Sequence, residues 1–290
     1  MANLKEIRTR IASVNSTKKI TSAMKMVSAA KLKKAQNSLF KFRPFYENIE
    51  GLTNHFLDSG KIKSASCIGF RKDIRNIYIV LISSNNSMCG AFNANIVKKA
   101  VDVYNKNKRG YSKATISFIC IGKRGEEGIL RNGLPIVKSS HILIDKPSVT
   151  EAKVLVNSFI DDYKSGKVDK VELVFNKFKN TATQEQTVET LLPVVKPLLS
   201  KKSNIEPIIE PDPYHFINRL LPYYILNRFY ASILESSTSE HGARMTAMHQ
   251  ATENASSLYS DLVIDYNKAR QAAITNEITE IVSGADALKQ

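Results

Sequence analysis

Apolar residues at the start of the chain recur at helical spacing: Leu4, Ile7, Ile11 and Val14 step by three and four. The stripe resumes at Ile20, Met24 and Val27 after a shift of phase, then runs on through Leu32, Ala35 and Leu39. Near the other end Ile274, Ile278, Ile281, Ala285 and Leu288 repeat the spacing. Stripes this narrow are coiled-coil seams rather than broad core faces, and the shifted phase predicts a locally unwound coil. Helix breakers avoid both ends. Every proline lies between Pro44 and Pro222, and ten of the twelve glycines lie between Gly51 and Gly166. A proline inside a helix costs about 3 kcal/mol and a glycine about 1, so the ends read as helices of roughly 60 and 100 Å. One stripe opens the chain and the other closes it, so the simplest arrangement pairs them antiparallel.

The middle has a different rhythm. Ile77 to Ser83, Thr115 to Ile121 and Val171 to Phe175 are short β-branched runs, with helical stretches at Asn93 to Lys108 and Thr150 to Lys164. Strands alternating with helices predict βαβ units and a mostly parallel sheet. Gln184 to Leu192 reads as a further strand, and the proline-bearing Lys201 to Pro213 as a linker. The expected fold is therefore α+α/β. It combines a long antiparallel coiled coil of N- and C-terminal helices with a central, Rossmann-like α/β domain. The expected divisions are 1–57, 68–205 and 206–290.

Composition narrows the chemistry. With 290 residues, 43% hydrophobic and 24% charged, the chain is neither collagen-like nor wholly disordered. Its longest apolar run, Ile77 to Ile82, falls far short of the roughly 18–20 residues a spanning helix needs. Three cysteines without CxxC spacing argue against a disulfide framework or a cysteine zinc site, and for a reducing compartment. His241 and His249 are too far apart along a helix to share a metal, and read as helix-surface residues. The turn Ser83 to Asn93 (SSNNSMCGAFN) and the turn at Gly122 follow strands, where α/β domains bind ligands. Neither carries GxxxxGK[ST] or GxGxxG, so the first reads as a helix-capping turn. No catalytic set, cofactor site or metal site follows from the residues.

Charge is more telling. Lys and Arg number 42 against 27 Asp and Glu, a net +15, and residues 1–43 hold eleven bases with the single acid Glu6. A basic amphipathic opening fits a transit peptide, a nucleic-acid or anionic-lipid surface, a solvated helix face, or a helix held against acidic protein surfaces. Aromatics are absent before Phe40, which argues against a single-strand stacking surface.

Three separated stretches carry a resemblance. Asn3 to Gln36 (NLKEIRTRIASVNSTKKITSAMKMVSAAKLKKAQ) resembles the N-terminal helix of the gamma subunit of F-type ATP synthase, of bacterial type. Ser239 to Ala255 resembles that family's C-terminal helix, and Asn267 to Leu288 its signature stretch, with Ile274, Thr275, Glu277, Glu280, Gly284 and Ala285. Glu210 to Pro213 matches the segment before that helix. The family's SD(K/R)GLCG turn is altered to Ser84-Asn85-Asn86-Ser87-Met88-Cys89-Gly90, and the cysteine-bearing insertion of the chloroplast form is absent.

The resemblance implies a central rotor shaft, non-catalytic and without a cofactor, nucleic acid or small-molecule substrate. Its partners would be three alpha and three beta subunits around the paired helices, an epsilon subunit on the α/β domain, and the c-subunit ring under its foot. Met24, Lys18, Lys19 and Lys25 are expected to meet beta-subunit loops, as are Arg270, Gln271 and Thr275 toward the tip. Lys41, Arg43, Ile209, Glu210 and Asp212 are expected at the c ring. The match begins almost at Met1, so no presequence is expected, and the rotor would sit on the cytoplasmic side of a bacterial inner membrane. Two other classes remain: a basic coiled-coil nucleic-acid binder, whose affinity would fall steeply with salt, and a small α/β enzyme with a helical arm.

Overall fold

The computed structural model describes residues 4–58, 71, 73–194 and 212–287. Helix α1 spans Leu4–Asp58 and the last helix, α6, spans Pro213–Ala287. Between them lie β1 (Asn76–Ile82), α2 (Phe92–Gly110), β2 (Thr115–Ile121), α3 (Lys123–Arg131), β3 (Ile136–Ser140), α4 (Ile142–Asp145), α5 (Val149–Lys164), β4 (Lys170–Phe178) and β5 (Gln184–Leu192). The linker expected at 201–213 falls almost wholly outside the described residues. The chain divides into two compact units: the residues up to Ser28 with those from Met245 on, and Ala29–Arg244.

In the larger unit the strand order is β3-β2-β1-β4-β5, with β4 and β5 antiparallel and every other pair parallel. Alternation along β1 explains the layers, because successive side chains face opposite sides of a sheet. Ile77, Ile79 and Leu81 pack under α2 and α3 with Ile96, Ala100, Phe118 and Ile129. Val80 and Ile82 face the other way, onto α5 and the segments of α1 and α6 in this unit, with Phe159, Phe56, Ile225 and Phe229. The sheet is covered on both faces, which is why β1 and β2 are almost continuously apolar.

Two prolines lie inside helices: Pro44 in α1 and Pro222 in α6. The helices therefore extend past the breakers that bound them in the sequence reading. Each proline forfeits one backbone hydrogen bond, and flanking anchors hold the helix, with Leu39, Thr53 and Phe56 buried around Pro44 and Leu221 and Tyr224 around Pro222.

The smaller unit pairs the start of α1 with α6 antiparallel. The Lys18 ammonium lies 5.8 Å from the centre of the Tyr259 ring, Thr252 donates to the Thr21 hydroxyl at 2.9 Å, and Lys25 Nζ lies 3.2 Å from His249 Nδ1. The α6 seam is a plain heptad: Met248, Thr252, Ala255, Tyr259, Leu262, Tyr266 and Ala269 are all shielded. Facing it, α1 keeps one unbroken phase through Leu4, Ile7, Ile11, Val14, Lys18, Thr21, Lys25 and Ser28.

This overturns the expected phase shift. Ile20 and Val27 are 60% and 57% exposed and point away from the seam. The heptad does not slip. Its positions simply become polar for about three turns, where Thr21 and Thr252 bond each other and Lys18 lies over an aromatic ring. The closing stripe also differs from expectation, since residues 271–284 are all exposed. At the observed register Leu4 lies opposite the turn around Arg270, so Ile274, Ile278 and Ile281 extend past the start of α1.

Candidate functional site: helix surfaces and the turn after β1

The basic stretch of α1 splits into two kinds of lysine. Lys18 and Lys25 turn their ammonium groups toward Tyr259 and His249 of α6. Lys19 is exposed, beside the exposed apolar side chains Ile20, Met26 and Val27, while Met24 is half-buried. A lysine stem can cover apolar surface while its head stays wet, so this face offers apolar area and positive charge together. At the far end of α6, Arg270, Gln271 and Thr275 are exposed. They adjoin Ile274, Ile278, Ile281 and Val282, which are 48%, 56%, 65% and 53% exposed. Four large apolar side chains on two turns is more than scattered surface hydrophobics.

Of the residues expected at the foot, Ile209 and Glu210 lie outside the described residues. Lys41 and Asp212 are exposed. Arg43 is engaged within its own unit: its Nη2 lies 2.8 Å from Glu235 Oε1, and Glu235 Oε2 accepts the Phe178 amide at 2.8 Å. This pair lines a cavity of about 440 Å³ that also holds the Arg228–Glu189 pair, at 3.1 Å. Glu47, Glu50 and Lys177 line it as well.

The turn after β1 bonds to itself and to its neighbours. The α2 N-cap is Ala91, without a side-chain cap, so the expected helix-capping role fails. Instead Asn93 Oδ1 accepts from the Ser84 amide at 3.1 Å and its Nδ2 donates to Ser84 Oγ at 2.8 Å. Ser83 Oγ donates to the Ile121 and Gly122 carbonyls, both at 3.2 Å, and accepts from the Gly125 amide at 2.8 Å. Gly122 has φ 102°, and a Cβ there would stand 2.3 Å from the Ser83 carbonyl oxygen. Only glycine fits this crossing of two strand ends. These backbone donors are spent inside the protein rather than aimed at a phosphate.

His241 is the other departure from the sequence reading. It is half-buried rather than a plain helix-surface residue. Its Nδ1 is buried without a hydrogen-bond partner among the described residues. Burial, then the charges of Lys31 and Arg244, push its pKa down to about 4, against an opposing pull from Asp145. No cluster of three or more His, Cys, Asp or Glu side chains suited to a metal occurs among the described residues.

These features define a class: an α/β domain built onto two very long terminal helices whose outward faces carry apolar and basic side chains suited to contact with other chains. The chain belongs to the ATP synthase family, whose model matches residues 3–288, and within it to the gamma chains. It is 42% identical to the ATP synthase gamma chain of Cytophaga hutchinsonii, over 99% of both chains. To the gamma chain of Flavobacterium johnsoniae it is 41% identical, again over 99% of both. The fold is similar to the rotor of Euglena gracilis mitochondrial ATP synthase, with a TM-score of 0.68 at 16% identity over 93% of this chain and 98% of that one. It is also similar to the central stalk of the Tetrahymena thermophila enzyme, with a TM-score of 0.59 at 21% identity over 80% and 99%.

Proposed function

We propose that this chain is the central rotor shaft of an F-type ATP synthase, coupling ion-driven rotation of a membrane ring to ATP synthesis or hydrolysis on surrounding subunits. Full-length identity with gamma chains supports the assignment, and nothing favours the nucleic-acid reading. The observation that carries the mechanism is the end of α6. There Ile274, Ile278, Ile281 and Val282 stay in water because the register with α1 has run out. A hydrophobic helix end without a partner among the described residues is stabilised by entering a collar of other subunits.

In this reading the shaft itself performs no chemistry. Three alpha and three beta subunits surround the helices, and Met24, Lys18, Lys19, Lys25, Arg270, Gln271 and Thr275 lie at the beta-subunit level. An epsilon subunit binds the sheet-bearing unit. Lys41, Arg43, Ile209, Glu210 and Asp212 lie toward the c ring, on the cytoplasmic side of a bacterial membrane. A single asymmetric shaft makes three equivalent sites unequal at any instant, and turning it shifts each site's population in sequence.

Affinity purification of the tagged chain from its host should bring down two larger nucleotide-binding subunits together with ATPase activity. A bead fixed to the sheet-bearing unit should rotate when ATP is added to that complex. Purification of the chain alone, or with nucleic acid as its main partner, would overturn the assignment.

A further inference from the structure

The turn between β1 and α2 is held from two sides by residues that the proposed coupling role does not use. From α6, the Arg244 guanidinium donates to the Ser87 carbonyl through Nη1, and through Nη2 to the Asn86 carbonyl at 3.3 Å and Glu240 Oε1 at 2.6 Å. The Arg244 side chain is 11% exposed and that of Glu240 6%. From the other side, Asn85 Nδ2 donates to the His141 carbonyl and to Asp145 Oδ2, both at 2.7 Å. Asn85 Oδ1 accepts from the Lys123 amide at 3.0 Å. An amide can donate and accept at once, and this one is used in both directions. Between the two grips, Met88 holds φ 64° and is 59% exposed. A left-handed backbone is rare for a non-glycine residue and persists where the surroundings over-determine it.

We propose that Arg244 and Asn85 are positioning residues that lock the Ser84–Gly90 turn onto α6 and α4, fixing the backbone at Met88 so that its exposed side chain is presented at one place. Arg244 suits the task through its planar fork, which reaches two successive carbonyls and a carboxylate together. A lysine keeps the charge but cannot span all three. Asn85 suits it because its partner is a carboxylate. An aspartate at 85 would set two carboxylates within hydrogen-bond distance, and one would have to bind a proton or the turn would have to open. Asn85 is therefore the donor at this grip, serving the His141 carbonyl as well as Asp145 Oδ2.

The test is hydrogen–deuterium exchange of the full chain near pH 8, where carboxyl groups in water are ionised. Peptides covering Ser84–Gly90 and Lys123–Gly125, whose Ser84, Lys123 and Arg124 amides are bonded at this turn, are followed against peptides covering β2 as a control for folding. Arg244→Lys and Asn85→Asp should each accelerate exchange in the turn roughly tenfold while β2 stays protected. Adding Asp145→Asn to Asn85→Asp should restore only the share lost to the like-charged pair, because an aspartate at 85 still has no proton to donate to the His141 carbonyl. The lock is wrong if Arg244→Lys leaves the turn as protected as the wild type. It is equally wrong if Asn85→Asp leaves the turn as protected as the wild type. A variant that loses β2 protection is replaced by Asp145→Ala, which removes the acceptor without adding a charge and should loosen the turn alone.

Discussion

Glu235 and His241 sit two turns apart on a stretch of α6 that is shielded on every side, and each marks a different cost of burying a polar group there. Glu235 is satisfied: Arg43 meets one oxygen and the Phe178 amide the other. Truncation to alanine would strand both donors, and losing one partner of a buried pair costs more than losing both. Because Arg43 is partly exposed, Glu235→Ala should destabilise the sheet-bearing unit by about 2–3 kcal/mol. Adding Arg43→Met should recover part of that loss in urea denaturation. His241 is unsatisfied, and its pKa of about 4 in the fold has a definite sign in stability. The folded chain resists the proton down to about pH 4, whereas the unfolded chain takes it up below about 6.5. Stability is therefore full above pH 6.5 and falls as the pH drops toward 4, by up to about 3 kcal/mol from this group. His241→Asn should flatten the fall in urea midpoint between about pH 7 and pH 5. An unchanged slope would mean that another group sets it.

At the scale of elements, the sequence was most legible where burial is two-sided. The apolar runs of β1, β2 and β4 and the helices α2 and α5 stand where the pattern put them. Lys138, Ser139 and Ser140 hid β3, a short edge strand that needs little apolar content. The coil seam was harder to read. Ile20 and Val27 drew the stripe off phase, while the true seam carried Lys18, Thr21, Lys25 and Ser28, which an apolar count discards. What would have exposed it is the heptad on α6 from Met248 to Ala269, read as the partner. Arg43 reads from sequence as a residue of the foot, and Arg244 draws no reading at all, because ion-pair partners 192 residues away and backbone acceptors 157 away leave no local trace. A seam that turns polar for about three turns is held less tightly than an apolar one. Lys18→Leu with Lys25→Leu should therefore stabilise the helix pair by about 1–2 kcal/mol, given half-burial of each new side chain. Thermal unfolding of the full chain, monitored by helical circular dichroism, should move upward, and a downward shift would show that the two lysines fasten the seam.

Over the whole molecule, charge and apolar exposure are unevenly shared: residues 1–43 carry ten of the fifteen net positive charges, and the end of α6 carries exposed apolar side chains with few charges. The first is suited to long-range attraction, which salt screens over about 10 Å at 0.1 M. The second is suited to short-range contact, which salt leaves intact. A shaft that must leave each contact as readily as it makes it needs weak bonds at the level where it meets its collar. Arg270, Gln271 and Thr275 fit that need, being exposed and adjacent to the apolar end without being anchored in it. Gln271 and Thr275 are one helical turn apart and share a face, with Arg270 beside them. The three offer a guanidinium fork, an amide and a hydroxyl, each able to make a bond of roughly 0.5–3 kcal/mol at one angle and release it at the next. Since these side chains are exposed in the free chain, Arg270→Ala with Gln271→Ala should leave its thermal midpoint unchanged, and assembly with the nucleotide-binding subunits close to normal. Steady-state ATP turnover of the assembled complex should fall about tenfold or more, the kinetic equivalent of about 1.4 kcal/mol lost from a contact made in passing. Unchanged turnover on a fully assembled preparation would assign the end of α6 the role of a passive bearing, with its apolar side chains as the only functional contacts.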